Sequence, residues 1–76
     1  MANVDQTLDA SGLNCPLPLL KTKKALSALD VGQTLCVTCT DPGSMKDFIA
    51  FCKQTGHELL ESSEADGSFS FLILKR

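Results

Sequence analysis

Four cysteines and one histidine are the residues of this chain best suited to covalent chemistry: Cys15, Cys36, Cys39, Cys52 and His57. Cys15 differs from the others in its neighbours, Gly12-Leu13-Asn14-Cys15-Pro16-Leu17-Pro18-Leu19-Leu20. Pro16 suits the first position of a helix, because its φ is preset and its missing N–H would have had no intrahelical partner. Pro18 still falls within the first turn, where amides are also unpaired. A residue before proline favours extended backbone, which is what an N-cap requires. The pattern therefore predicts Cys15 at the positive end of a helix dipole, where a thiol is biased toward thiolate. Such a group serves as a nucleophile, a redox sensor or a carrier of a covalently held atom.

The other candidates are weaker. Cys36 and Cys39 have C-x-x-C spacing, yet they lie in Thr34-Leu35-Cys36-Val37-Thr38-Cys39-Thr40, which is β-branched and apolar. In an extended strand, residues three apart point to opposite faces, so these two would share neither a metal ion nor a disulfide. Cys52 falls on the apolar side of a helical pattern and is assigned to packing. His57 begins a strand, with nothing to bring it to Cys15, so a Cys–His hydrolytic dyad is disfavoured. A thiolate without a base can still attack the sulfur of a disulfide or persulfide, because the departing thiolate needs little protonation. Glycine-rich phosphate and dinucleotide fingerprints are absent.

The elements that must position Cys15 follow from periodicity. A strand is predicted over residues 5–10 and a helix over 16–29, with Pro18, Leu19, Thr22, Ala25, Leu26 and Leu29 on its core stripe. Leu17, Leu20, Lys21, Lys24 and Ala28 occupy the other face, so two leucines beside the cysteine are left for solvent or a partner. Gly32 ends this segment, and the strand over 34–40 is expected at the centre of the sheet. Asp41 is expected to cap a second helix, with Pro42 at its first position and Gly56 as its stop. Met45, Phe48, Ile49, Phe51 and Cys52 form its predicted apolar face. Strands over 57–64 and 68–75 flank an Asp66-Gly67 hairpin turn, with Phe69, Phe71 and Ile73 on one face of the last. The order βαβαββ predicts an α/β two-layer sandwich: a four-stranded mixed sheet with two helices on one face.

Seventy-six residues with 43% hydrophobic and 21% charged composition predict one domain, 1–76, of an ordinary soluble kind. The net charge of -2, the absence of Tyr and Trp, and a single Arg argue against direct nucleic-acid binding. No apolar run approaches the length of a membrane span, and the first residues lack the features of a signal peptide. A cytoplasmic monomer with reduced thiols is the expectation.

Cys15-Pro16-Leu17-Pro18 resembles the C-P-x-P motif of the TusA/SirA/YeeD-type sulfur-carrier family. The preceding Leu8-Asp9-Ala10-Ser11-Gly12-Leu13, the Asp41-Pro42 helix start, Phe51-Cys52 and Gly56-His57-Glu58-Leu59 are also similar to that family, over about residues 7–75. The resemblance implies a two-layer α/β sandwich whose Cys15 accepts persulfide sulfur from a cysteine desulfurase and passes it to an acceptor protein thiol. It implies no metal and no organic cofactor. In different branches the relay ends in tRNA 2-thiouridine, in molybdenum cofactor assembly or in sulfur oxidation. Asn14 and Leu17 depart from the tRNA-thiolation branch, which has Arg and Glu at these places. Both changes alter charge beside the cysteine and bear on the choice of partner. Asn14, Leu17, Leu20, Lys21 and Lys24 are the expected docking residues. Two alternatives stay open: a regulatory or adaptor module of the same fold that works by docking alone, and a thiol redox sensor.

Overall fold

A computed structural model describes residues 4–14 and 17–76. The elements are β1 (Gln6–Ala10), α1 (Leu17–Ser27), β2 (Thr34–Cys39), α2 (Ser44–Thr55), β3 (Glu58–Ala65) and β4 (Ser68–Leu74). The strands form one sheet in the order β1-β2-β4-β3. β1 runs parallel to β2, whereas β4 is antiparallel to both β2 and β3. The expected mixed four-stranded sheet with β2 inside it is therefore present, and both helices pack against it and against each other.

Strand alternation decides which face they cover. Leu35, Val37 and Cys39 point one way along β2, and their antiparallel partners Ile73, Phe71 and Phe69 lie on the same face of β4. These six residues join Ala10, Leu26, Leu29, Phe48 and Cys52 in the core. Phe48 of α2 stacks on Phe71 with ring centroids 4.4 Å apart, fixing the helix over the middle of the sheet. The opposite face carries Thr7, Cys36, Ser70, Leu72, Glu61 and Ser63 in register, and neither described helix packs over it.

The core stripe of α1 matches its predicted composition: Pro18, Thr22, Leu26 and Leu29 are buried, while Leu19 and Ala25 are partly so. The helix itself stops at Ser27, and Leu29 is held in a following turn by its N–H to Leu26 O at 3.0 Å. Lys75 Nζ reaches back to Leu29 O at 2.5 Å, capping that exit.

α2 starts later than the sequence predicts. Asp41 is not its N-cap, and Pro42 is not its first residue; the helix begins at Ser44, with Gly43 at the cap position. Asp41 Oδ1 accepts the Gly43 N–H at 2.9 Å, and Asp41 O accepts the Ser44 N–H at 3.0 Å. The carboxylate is thus spent on a local turn two residues on, the usual alternative to capping for Asp. Ile49 is also not part of the core. It is 50% exposed, because it sits about 100° around the helix from the fully buried Phe48. Gly56 does end α2, in the left-handed conformation with φ 83°, and its N–H bonds to Cys52 O.

At the hairpin, Asp66 and Gly67 both take positive φ, 52° and 81°, the type I′ geometry that matches strand twist. β3 begins at Glu58, one residue after His57, and is interrupted by an irregularity between Leu59 and Glu61. The far edge of the sheet is secured by Asp5, whose Oδ2 accepts the Thr34 N–H at 2.8 Å.

Candidate functional site

Parallel pairing sets the location of the site. β1 and β2 end together, at Ala10 opposite Cys39, and both following helices start from that end of the sheet. Ligand and reaction sites in sheets with parallel strands favour such carboxyl ends. Between Ala10 and α1 the chain makes a tight turn. Hydrogen bonds from the Ser11 hydroxyl and amide hold the Asp9 carboxyl below the usual carboxylate range. Gly12 has φ 82°, and its N–H donates to Thr40 Oγ1 at 2.9 Å. The Leu13 N–H bonds to Ala10 O at 3.3 Å, while its side chain packs on the core. Asn14 is exposed, and its carbonyl accepts the Leu17 N–H at 2.9 Å.

Cys15 and Pro16 lie outside the described residues. What is described brackets them: exposed Asn14 on one side and Leu17, the first residue of α1, on the other. Pro18 is buried in the first turn, and its carbonyl accepts the Thr22 hydroxyl at 2.8 Å. Pro18 and Leu19 line a narrow cleft with Asp41 of the preceding turn and with Ser44, Asp47 and Phe48 of α2. Leu17 and Leu20 are 47% and 56% exposed, and Lys21 and Lys24 are exposed as well. α1 contains three lysines and no acidic residue, so its outer side combines apolar and positive surface in a chain of net charge -2. The structure thus puts the expected docking residues in solvent.

The remaining thiols are arranged as strand alternation demands. Cys39 points into the core and is fully buried; Cys36 lies on the uncovered face and is half-buried. Cys52 is buried on α2. Burial pushes the thiols of Cys39 and Cys52 above their ordinary range. Both should therefore resist iodoacetamide in native protein at neutral pH and react only on unfolding, read by mass spectrometry of digested samples. The sign for stability follows. The unfolded thiols ionise first, so this contribution is complete below their unfolded pKa and is lost as pH rises toward the folded values. Thermal melts should fall on the alkaline side of about pH 8.5.

His57 is at the other end of the molecule. It precedes Glu58, which pairs with Leu74, which in turn pairs with Thr34 at the start of β2. Its Nδ1 accepts the Arg76 N–H at 3.1 Å, and its ring lies 6.2 Å from that of Phe51. It is an edge-packing residue, and the structure does not bring it toward the start of α1. Among the described residues no group of His, Cys, Asp and Glu could hold a metal ion, and no helix is long and apolar enough to cross a membrane. Thr40 was not legible as part of this site, because its partner Gly12 lies 28 positions away and only pairing of the strands brings them together.

Comparison with known proteins agrees with this architecture. The sulfurtransferase TusA family matches residues 6–75. The sulfur carrier protein TusA of Allochromatium vinosum is 65% identical over 75 residues, covering 99% of each chain. The sulfur carrier protein TusA of Pseudomonas entomophila is 43% identical over 72 residues, covering 95% of this chain and 90% of its own. The crystal structure of a SirA-like protein from Desulfitobacterium hafniense superposes with a TM-score of 0.81 at 30% identity, covering 91% of this chain and 95% of the other. A chain with this sheet order, this pair of helices and a family match over nearly its whole length belongs to the TusA sulfurtransferase family.

Proposed function

We propose that this protein is a sulfur carrier that holds sulfur as a persulfide on Cys15. The thiolate of Cys15 attacks the terminal sulfur of a persulfide on a donor protein, forming Cys15–S–SH and releasing the donor's thiolate. An acceptor thiolate then attacks that same outer sulfur and releases Cys15 as thiolate. One sulfane sulfur moves twice, with no net oxidation, and each departing group is itself a thiolate. A cysteine desulfurase is the donor and a downstream thiol protein the acceptor.

The observation that carries the reading is a contrast among the cysteines. The residues on either side of the Cys15-Pro16 pair are exposed and open onto the start of α1, whereas Cys39 and Cys52 are enclosed by the core. A helix start favours a thiolate and equally the anion of a persulfide. The relatives named as sulfur carriers support it. Incubation with a desulfurase and cysteine should add the mass of one sulfur to the peptide containing Cys15. Protein that stays unmodified with several desulfurases overturns the proposal.

Asn14, Leu17, Leu20, Lys21 and Lys24 form the docking surface for donor and acceptor. Leu17 and Leu20 supply the apolar contact, and the lysines steer an acidic partner. Leu20→Asp should raise the KM for a persulfidated donor by about tenfold, the equivalent of about 1.4 kcal/mol of binding. The reactivity of Cys15 toward small alkylating agents should stay unchanged, which separates docking from chemistry.

A further inference from the structure

The geometry points to Thr40 as a positioning residue for sulfur uptake, an assignment that rests on the carrier role of Cys15. The chain between β1 and α1 must present that cysteine to another protein, yet most of its hydrogen bonds are local. Ser11 N–H bonds two residues back to Asp9, Leu13 N–H three residues back to Ala10, and Leu17 N–H to Asn14. Local bonds shape the turn and the Leu13 side chain seats it on the core, but neither ties its backbone to the end of a neighbouring strand. The Gly12 N–H to Thr40 Oγ1 bond is different: it is 2.9 Å long and joins positions 28 apart.

Thr40 is well placed to serve as the fixed end. It follows Cys39, which is paired on one side with Ala10 and on the other with Phe69. It precedes Asp41, whose carboxylate closes the turn into α2. The hydroxyl is thereby carried by a residue between a sheet ladder and a closed turn. The positive φ of Gly12 is part of the same turn. Thr40 touches neither sulfur nor donor in this account; it sets the take-off of the segment that leads to Cys15. Orientation of a nucleophile acts on the rate of the chemical step more than on binding.

The test is single-turnover sulfur uptake from a persulfidated cysteine desulfurase by the wild type, Thr40→Val, Thr40→Ala and Thr40→Ser, with a thermal melt of each. Loss of the hydroxyl should lower the rate at saturating donor by about threefold to tenfold, as expected for one neutral hydrogen bond, with the KM for donor held within about twofold. Thr40→Ser keeps the hydroxyl and should restore the wild-type rate, and Thr40→Ala should match Thr40→Val even if the valine variant folds poorly. Wild-type rates in both hydroxyl-free variants overturn the assignment, as does a serine variant as slow as alanine or a loss confined to KM. A wild type that takes up no sulfur on Cys15 overturns the carrier reading itself, and the role of Thr40 with it.

Discussion

Phe48→Ala should lower the stability of the protein by about 3–5 kcal/mol, the range for removing a fully buried aromatic ring from a core. Phe48 is completely buried and stacks on Phe71, which is also completely buried, with their planes 15° apart. The surrounding side chains can close in on the emptied volume only in part, because the elements that carry them are fixed by the sheet and helix packing. Phe71 is fixed in the central strand β4, and Cys52 and Ser44, one helical turn to either side of Phe48, are too small to reach across. A chain of 76 residues has little reserve, and the expected loss is comparable to the whole stability of many domains of this size. Urea unfolding followed by circular dichroism should show a midpoint near zero denaturant for the alanine variant. Phe48→Leu retains most of the volume and should cost clearly less. A Phe48→Ala midpoint close to the wild-type value would contradict the packing described for α2.

Cys15→Ser should abolish sulfur transfer while leaving the fold intact. An alcohol is a poor nucleophile toward sulfane sulfur near neutral pH, because it is almost wholly protonated there, and the one histidine cannot serve it as a general base: His57 lies at the opposite end of the sheet. The expectation is a fall of at least about three orders of magnitude, to the background of direct transfer between donor and acceptor. Cys36→Ser, Cys39→Ser and Cys52→Ser should instead retain transfer, with the buried pair showing a lower melting temperature. Radiolabelled sulfur followed from desulfurase to carrier by non-reducing electrophoresis gives the readout. If Cys15→Ser still carries label and Cys36→Ser does not, the half-buried thiol on the uncovered face is the carrier and Cys15 is not.

Much of the fold is legible in the order of residues because its elements obey single rules. The stripe of α1, the two faces of β4 and the Asp66-Gly67 turn each follow from one periodicity or one pair of dihedral preferences. Departures arise where two rules compete. Asp41 is a good cap and an equally good turn former, and the Pro42-Gly43 sequence that follows tips it to the turn. Ile49 is as apolar as Phe48 beside it, but a helix lying on one face of a sheet buries only part of its circumference. Leu72, on the face without helices, is nonetheless 6% exposed, since Cys36 and Glu61 stand on either side of it in the ladder. For the site, local pattern alone singles out Cys15 and the exposed leucines and lysines of α1. It is silent on Thr40, whose relevance depends on a parallel pairing between residues distant along the chain.

The arrangement of the strands also separates two working ends. The turn at Gly12 and Thr40 adjoins the carboxyl end of β2, whereas Arg76, held by the His57 ring and by an ion pair with Glu58, adjoins its amino end. The five steps of about 3.3 Å between the first and last of the six residues of β2 keep these about 17 Å apart. A fluorophore or surface tether attached at Arg76 would therefore stand clear of any protein seated over the first turn of α1, and the carrier could be immobilised or observed in single-molecule assays without obstructing the exchange it performs.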